Sequence, residues 1–159
     1  MDNVPRKTTS AAKIELLGHV SLLAECTKKE LAQIASMCTE YDATAGQVLA
    51  QEGQLGAEFF VIIDGRATAS RGGVILATLG PTNFFGELAL LDGGLRTATV
   101  VADTDLHLLV LSRAEFQNLC RTYPSVSYRM LKGLGERLRR ADEMICAVNN
   151  PESPAHITM

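Results

Sequence analysis

Apolar positions along the 159-residue chain follow two rhythms. Near the start and over the last third they recur every three or four residues, the period of a helix packed on one face. Between those regions, short apolar runs are cut by glycine at intervals that suit strands joined by tight turns. A short helix is predicted over 12–18. Thr27, three residues before Glu30, makes a capping-box signature ahead of Leu31, Ile34, Ala35 and Cys38, and predicts a helix over 28–38. From Thr39 onward, runs rich in Val, Ile, Leu and Phe are broken at Ala45-Gly46, between Gly53 and Gly56, and at Asp64-Gly65, Gly72-Gly73 and Gly80-Pro81. Asp64-Gly65, between the runs 59–63 and 66–70, reads as a hairpin turn because both residues tolerate positive φ. Val100-Val101 and the run 106–111 supply later strands.

So many short strands without intervening helices predict a mainly β fold, an antiparallel jelly-roll β-barrel with N-terminal helices and a concave mouth for a small ligand. Ser112 with Glu115 forms a second capping box, for a helix to about residue 121. Pro124 then opens a longer helix to about residue 148. Leu131, Leu134, Leu138, Ala141, Ile145 and Val148 alternate spacings of three and four, the pattern of a coiled-coil seam, widened by Met130 and Met144. The stripe predicts a homodimer through 125–148; the competing reading packs it on the chain's own barrel. Residues 1–22 are expected as a partly mobile N-terminal segment, 23–148 as one domain and 149–159 as a mobile tail.

Composition narrows the function. Hydrophobic residues are 47% and charged residues 21%, an ordinary globular balance with room for one domain. A formal net charge of −3 lacks the basic footprint of nucleic-acid binding. After Val148 only a short stretch remains, too short for a DNA-recognition helix, so direct DNA binding is not expected. No apolar run reaches the length of a membrane span and the polar start has no signal-peptide core, which predicts a cytoplasmic protein without membrane attachment. Cys26, Cys38, Cys120 and Cys146 lie far apart without a CxxC pair and read as free thiols. His19, His107 and His156 are scattered without metal-ligand spacing and read as surface or boundary residues, so neither metal nor cofactor is expected. No Ser/His/Asp or Cys/His arrangement suggests an enzyme.

The chemistry concentrates in the stretch 84–101, FFGELALLDGGLRTATVV. It sets one carboxylate, Glu87, and one guanidinium, Arg96, among small and apolar residues, where a charge costs several kcal/mol unless paired. Either the two pair with each other or they wait for a ligand. A strand ending at Phe84-Phe85, then Gly86, then the helix-forming Glu87-Leu88-Ala89-Leu90-Leu91 describes a tight turn into a short helix, whose free N–H groups suit an anion. Arg96 can return across the Gly93-Gly94 bend to the same place with paired donors for phosphate oxygens. Glu87 would instead accept from a sugar hydroxyl. Together they describe a compact nucleotide with sugar and phosphate side by side. For Glu87 alone the plainer reading is a helix-start carboxylate. Arg113, Arg121, Arg137, Arg139 and Arg140 read as solvated helix surface.

This segment, with Arg96-Thr97-Ala98-Thr99-Val100 at close range, resembles the phosphate-binding cassette of cyclic nucleotide-binding domains. The resemblance runs from about residue 23 to 148: Gly46, Gly53, Gly56 and Gly65 fall at that family's turn positions, and Leu108-Leu109-Val110-Leu111-Ser112-Arg113 is similar to its last strand and following helix. It implies a jelly-roll barrel holding cyclic AMP or cyclic GMP, with Glu87 on the ribose 2′-hydroxyl and Arg96 on the cyclic phosphate. Backbone groups of Gly86, Leu88 and Ala89 would complete the cradle, with Thr97 beside it. Cyclic AMP is the first expectation, and Thr97, similar to a residue that meets the guanine 2-amino group in some relatives, keeps cyclic GMP open. The last helix often supplies a base contact in this family; Ala141 cannot, whereas Asp142 could accept from a purine amino group or pair with Arg137 across a parallel dimer. The resemblance implies a regulatory module that signals to a protein effector by moving the last helix. A nucleotide-free dimerisation scaffold is the alternative.

Overall fold

The computed structural model describes residues 7–149; residues 1–6 and 150–159, which hold the start of the expected N-terminal segment, nearly all of the expected tail and His156, lie outside them. The helices are α1 (Ser10–Gly18), α2 (Lys28–Met37), α3 (Glu87–Asp92), α4 (Arg113–Thr122) and α5 (Pro124–Asn149), with a 3-10 turn at Ser21–Leu23. The strands are β1 (Thr39–Ala43), β2 (Val48–Ala50), β3 (Glu58–Asp64), β4 (Ala67–Arg71), β5 (Val74–Leu79), β6 (Phe84–Phe85), β7 (Thr99–Ala102) and β8 (Leu106–Ser112). They form two four-stranded antiparallel sheets, ordered β1-β8-β3-β6 and β2-β7-β4-β5. The chain shuttles between the sheets, and helices flank them.

Capping explains where the helices begin. Thr9 accepts from the Ala12 N–H, so α1 starts earlier than its apolar pattern suggests. Thr27 and Glu30 form the reciprocal capping box the sequence predicts, with bonds of 3.2 and 2.9 Å. Helix α2 stops at Met37, one residue short of expectation, because Cys38 is already extended and leads into β1. Ser112 caps α4 through the Glu115 N–H.

Strand β3 divides two cores. Phe59 and Val61 face the helices, where Leu17, Ile34, Leu119 and Val126 pack. Phe60 and Ile62 face the other sheet, opposite Ala50, Ala67, Ala69 and Ala102. Burial on both faces accounts for the unbroken apolar run of β3. The helical core reaches back to Leu17 and Val20, both fully buried. Helix α5 crosses the Ser21–Leu23 turn at Gly133, where a Cβ would lie 2.8 Å from the Leu22 carbonyl.

Asp64-Gly65 is not a hairpin. It carries the chain from β3 in one sheet to β4 in the other, packed on the β7–β8 loop: a Cβ on Gly65 would meet the Asp105 carbonyl, and the Arg66 carbonyl accepts from Asp103. The β4–β5 hairpin turns instead at Gly72-Gly73, both with positive φ, with Arg71 opposite Val74. Helix α5 leaves its stripe open. Leu131, Leu138, Ile145 and Val148 are exposed, while Met130 and Leu134 pack against the helical core, so most of the stripe is left uncovered by the chain's own fold. No helix among the described residues is long and apolar enough to cross a membrane.

Glu30 joins α2 to α5. Its carboxylate is buried, accepts from Thr27 and lies 3.5 Å from Arg129 Nε. The Thr27 N–H holds its pKa below the ordinary value, against the opposing effect of burial. A depressed folded pKa means the stabilisation is full above the unfolded value near 4.5 and is lost as pH falls through the folded one. Glu30→Gln is therefore expected to cost about 1 kcal/mol at neutral pH. The variant's stability should also decline less than the parent's between about pH 5 and 3, as read by urea unfolding across that range.

Candidate functional site

The inner face of the β2-β7-β4-β5 sheet is built from small residues, and that choice makes room. A cavity of about 290 Å³ opens there, lined by Ala50, Ala69, Ala77 and Ala98 and closed by the segment from Phe84 to Ala89. Three charged side chains reach its wall: Arg71, Glu87 and Arg96. The sequence-predicted residues Gly86, Glu87, Leu88, Ala89, Arg96 and Thr97 all line it. Asp142 does not, and neither does any other α5 residue.

Arg96 is the centre of the arrangement. It is 8% exposed, with its guanidinium 5.9 Å above the Phe60 ring. Two glycines make the space: a Cβ on Gly56 would lie 1.9 Å from Arg96 Nε, and one on Gly86 would lie 2.6 Å from Nη1. Gly86 also has φ of 87°, so it is needed for both conformation and clearance. The Arg96 backbone is fixed by the turn before β3: its N–H donates to Gln54 at 2.8 Å and its carbonyl accepts from Gly53 at 2.9 Å. A trans peptide with its carbonyl held on one side carries its N–H on the other, so the Gly53 bond also orients the Thr97 amide.

Glu87 and Arg96 do not pair with each other. Arg96 Nη2 lies 3.4 Å from Glu58 Oε2, while Glu87 Oε1 accepts from Arg137 Nη2 at 3.1 Å. Glu58 is half exposed, so its compensation of the buried guanidinium is partial, and Nη1 has no hydrogen-bond partner among the described residues. Burial draws the Arg96 pKa down from its ordinary value and Glu58 opposes that shift. Glu87 remains a hydrogen-bond acceptor at its second oxygen.

Two arginines read from sequence as solvated surface are engaged. Arg137, on α5, holds Glu87. Arg113 packs over Gly93, where a Cβ would come 2.2 Å from its Nη1, and its Nε is buried. Sequence reasoning also missed Glu58 and Arg71. Neither lies within the 84–101 stretch, and each reaches it by folding: Arg71 Nε donates to the Thr97 carbonyl at 2.7 Å. Gly56 was legible only as a turn residue. His107 bridges strands, 2.6 Å from Asp42 and 3.2 Å from Glu40, and is not part of the cavity lining.

The sequence profile of the cyclic nucleotide-binding domain family matches residues 42–123, more than half of the 159-residue chain. This chain belongs to the cyclic nucleotide-binding domain family. The chain is 38% identical over 102 residues to the cyclic AMP receptor protein of Thermus thermophilus, covering 61% of this chain and 47% of that protein. It is 38% identical over 95 residues to a cGMP-dependent protein kinase of Caenorhabditis elegans, covering 60% of this chain and 12% of that one. Among solved structures, the N-terminal domain of a transcriptional regulator from Streptomyces coelicolor superposes with a TM-score of 0.75 at 30% identity, covering 80% of this chain and 94% of that one. The chain spans roughly an eighth to a half of the length of these curated relatives.

In this cyclic nucleotide-binding domain the two glycines beside Arg96 act differently, and substitution separates them. Gly86→Ala forces a side chain into left-handed backbone and should cost about 1–2 kcal/mol of stability, measured by chemical denaturation. Gly56→Ala meets only the Arg96 side chain, so it should displace the guanidinium and shift the Arg96 Nε–H resonance. An unchanged resonance in that variant would show that Gly56 does not wall the guanidinium.

Proposed function

We propose that this domain is a regulatory module that binds a 3′,5′-cyclic purine nucleotide, with the cyclic phosphate on Arg96 and the ribose 2′-hydroxyl on Glu87. The observation that carries the reading is the buried Arg96 guanidinium with its orphaned Nη1 beside Gly86, at the wall of a cavity of about 290 Å³. A buried cation with one long contact to a half-exposed carboxylate is under-compensated, and an anion in the cavity would complete its coordination. Backbone groups of Gly86, Leu88 and Ala89 would cradle the same phosphate, with Thr97 beside it. The two sheets would close around the ligand as a jelly-roll barrel. Cyclic AMP, expected from the family resemblance, and cyclic GMP both present the sugar and phosphate that this wall selects. The module is read as non-enzymatic, without resident cofactor or metal and without direct contact to DNA or membrane.

Signalling follows from the Glu87–Arg137 pair. A ribose hydroxyl arriving at Glu87 would draw on the carboxylate that now holds α5, so occupancy would bias the position of that helix. A reoriented α5 could bring Asp142 to the base. The exposed Leu131, Leu138, Ile145 and Val148 support homodimerisation through the same helix, which would display or hide a surface for a protein effector.

Calorimetric titration of nucleotide-stripped protein tests the reading. Cyclic AMP or cyclic GMP should bind with a Kd of about 1 μM or tighter, and 5′-AMP much more weakly. Arg96→Ala should weaken that binding by roughly two to three orders of magnitude, from ~3–5 kcal/mol lost when a buried charge loses its partner. Absence of binding by either cyclic nucleotide would refute the sensor and leave a dimerisation scaffold. Arg137→Ala should retain binding while abolishing the ligand-dependent change at α5, followed by a spin label near Met144. A label response equal to the parent's would remove Arg137 from the coupling.

A further inference from the structure

Of the three charged side chains on the cavity wall, the nucleotide reading employs Glu87 and Arg96 and leaves Arg71 without a role. We propose that Arg71 reads the purine edge and selects guanine, so that the domain prefers cyclic GMP; this rests on the cyclic-nucleotide reading above and names its base. Arg71 ends β4 at the Gly72-Gly73 turn. It is exposed, yet it is not a free surface arginine. Its Nε–H donates to the Thr97 carbonyl at 2.7 Å, which fixes the guanidinium against the residue after Arg96 and leaves both Nη groups as donors. The hairpin carrying it is also held: the Gly72 N–H donates to the Glu52 carboxylate at 2.9 Å, and the Glu52 N–H donates to Thr99 Oγ1 at 3.0 Å. Held in this way, Arg71 loses less freedom when it meets a ligand.

Position and chemistry select the partner. The sugar and phosphate are taken by Glu87 and by Arg96, buried between Gly56 and Gly86. The base is left the outer wall, where Leu76, Leu88 and Leu95 are exposed and Arg71 and Thr97 are the polar side chains. The leucines can cover a purine face but cannot tell one base from another. A guanidinium carries donors only. Guanine offers O6 and N7 as adjacent acceptors, whereas adenine sets an N6 amino donor beside N7, so one Nη group facing adenine would meet a donor. The Thr97 hydroxyl, on the same wall, can accept from the 2-amino group that guanine has and adenine lacks.

The test is calorimetric titration of cyclic GMP and cyclic AMP into the parent, Arg71→Ala and Arg71→Lys, with thermal melting as a folding control. The parent should bind cyclic GMP about tenfold or more tightly than cyclic AMP, the discrimination of one bidentate pair. Arg71→Ala should lose about that factor for cyclic GMP and less than about threefold for cyclic AMP. Arg71→Lys, which keeps the charge but not the planar fork, should not restore the preference. A 7-deaza cyclic GMP analogue should bind the parent more weakly than cyclic GMP and bind Arg71→Ala no differently from it. Equal losses for both nucleotides in Arg71→Ala would overturn the proposal and leave Arg71 as a brace for Thr97, and so would a parent preference for cyclic AMP. If the parent bound neither nucleotide, the cyclic-nucleotide reading would itself fall, an outcome distinct from a lost preference.

Discussion

A guanidinium held out of water constrains everything around it. Arg96 lies at 8% exposure between the backbones of Gly56 and Gly86, and its one ion-pair partner among the described residues, Glu58, is half exposed. Taking such a group from water costs several kcal/mol, and one contact of 3.4 Å does not restore that. The fold supplies what compensation it can from elsewhere: the Phe60 ring beneath and a backbone pinned at Gly53 and Gln54. The remaining deficit points into the cavity. A site arranged in this way is preorganised for an anion, because its donor does not have to be drawn out of a competing ion pair with Glu87.

The cavity has its own physical cause, one that a list of charged residues does not reveal. Alanines at 50, 69, 77 and 98 stand where larger side chains would fill the space between the sheets. An enclosed dry void of about 290 Å³ would cost about 7 kcal/mol at the usual dependence on cavity volume. This one opens to water past Leu76, Leu88 and Leu95, which lowers that cost at the expense of exposed apolar surface. The two features belong together, since the rim that admits water would also cover a bound purine. A larger core lies elsewhere, among the helices on the far side of β3, so the cavity-lining sheet can remain loosely filled.

What the sequence disclosed follows the range of the interactions involved. Caps at Thr27 and Ser112 act over three residues: the Thr27–Glu30 box closes in both directions, whereas at Ser112 only the bond from the Glu115 N–H forms. Glu87 and Arg96 lie nine positions apart in one segment, and the fold brings both to one cavity. Contacts made across the fold were invisible. Glu58 meets Arg96 across 38 positions and Arg137 meets Glu87 across 50, and nothing local distinguishes either from a solvated charge. The Asp64-Gly65 reading failed for a related reason: turn chemistry specifies how the backbone reverses, not which sheet receives the next strand. Gly72-Gly73 satisfied the same chemistry and closed the true hairpin. The helical stripe of α5 was legible as a period, but only the fold shows that most of it faces outward.

Coupling between the cavity and α5 is limited by what one carboxylate can do. Glu87 has two oxygens, and Arg137 occupies one at 3.1 Å. A hydroxyl bound at the other oxygen leaves that ion pair intact, so ligand and helix would coexist with little communication. A hydroxyl that requires both oxygens, or rotates the carboxylate, weakens the hold on Arg137 and shifts α5. Under the proposed signalling only the second case would transmit a signal, of a size equal to the difference in ligand affinity between the two helix positions. Arg137 Nη1, buried without a partner among the described residues, shows that the present pairing leaves the arginine incompletely satisfied. Under the proposed signalling, an incompletely bonded latch would suit release of the helix by a single small ligand, because the energy to be overcome stays within what a few new hydrogen bonds can supply.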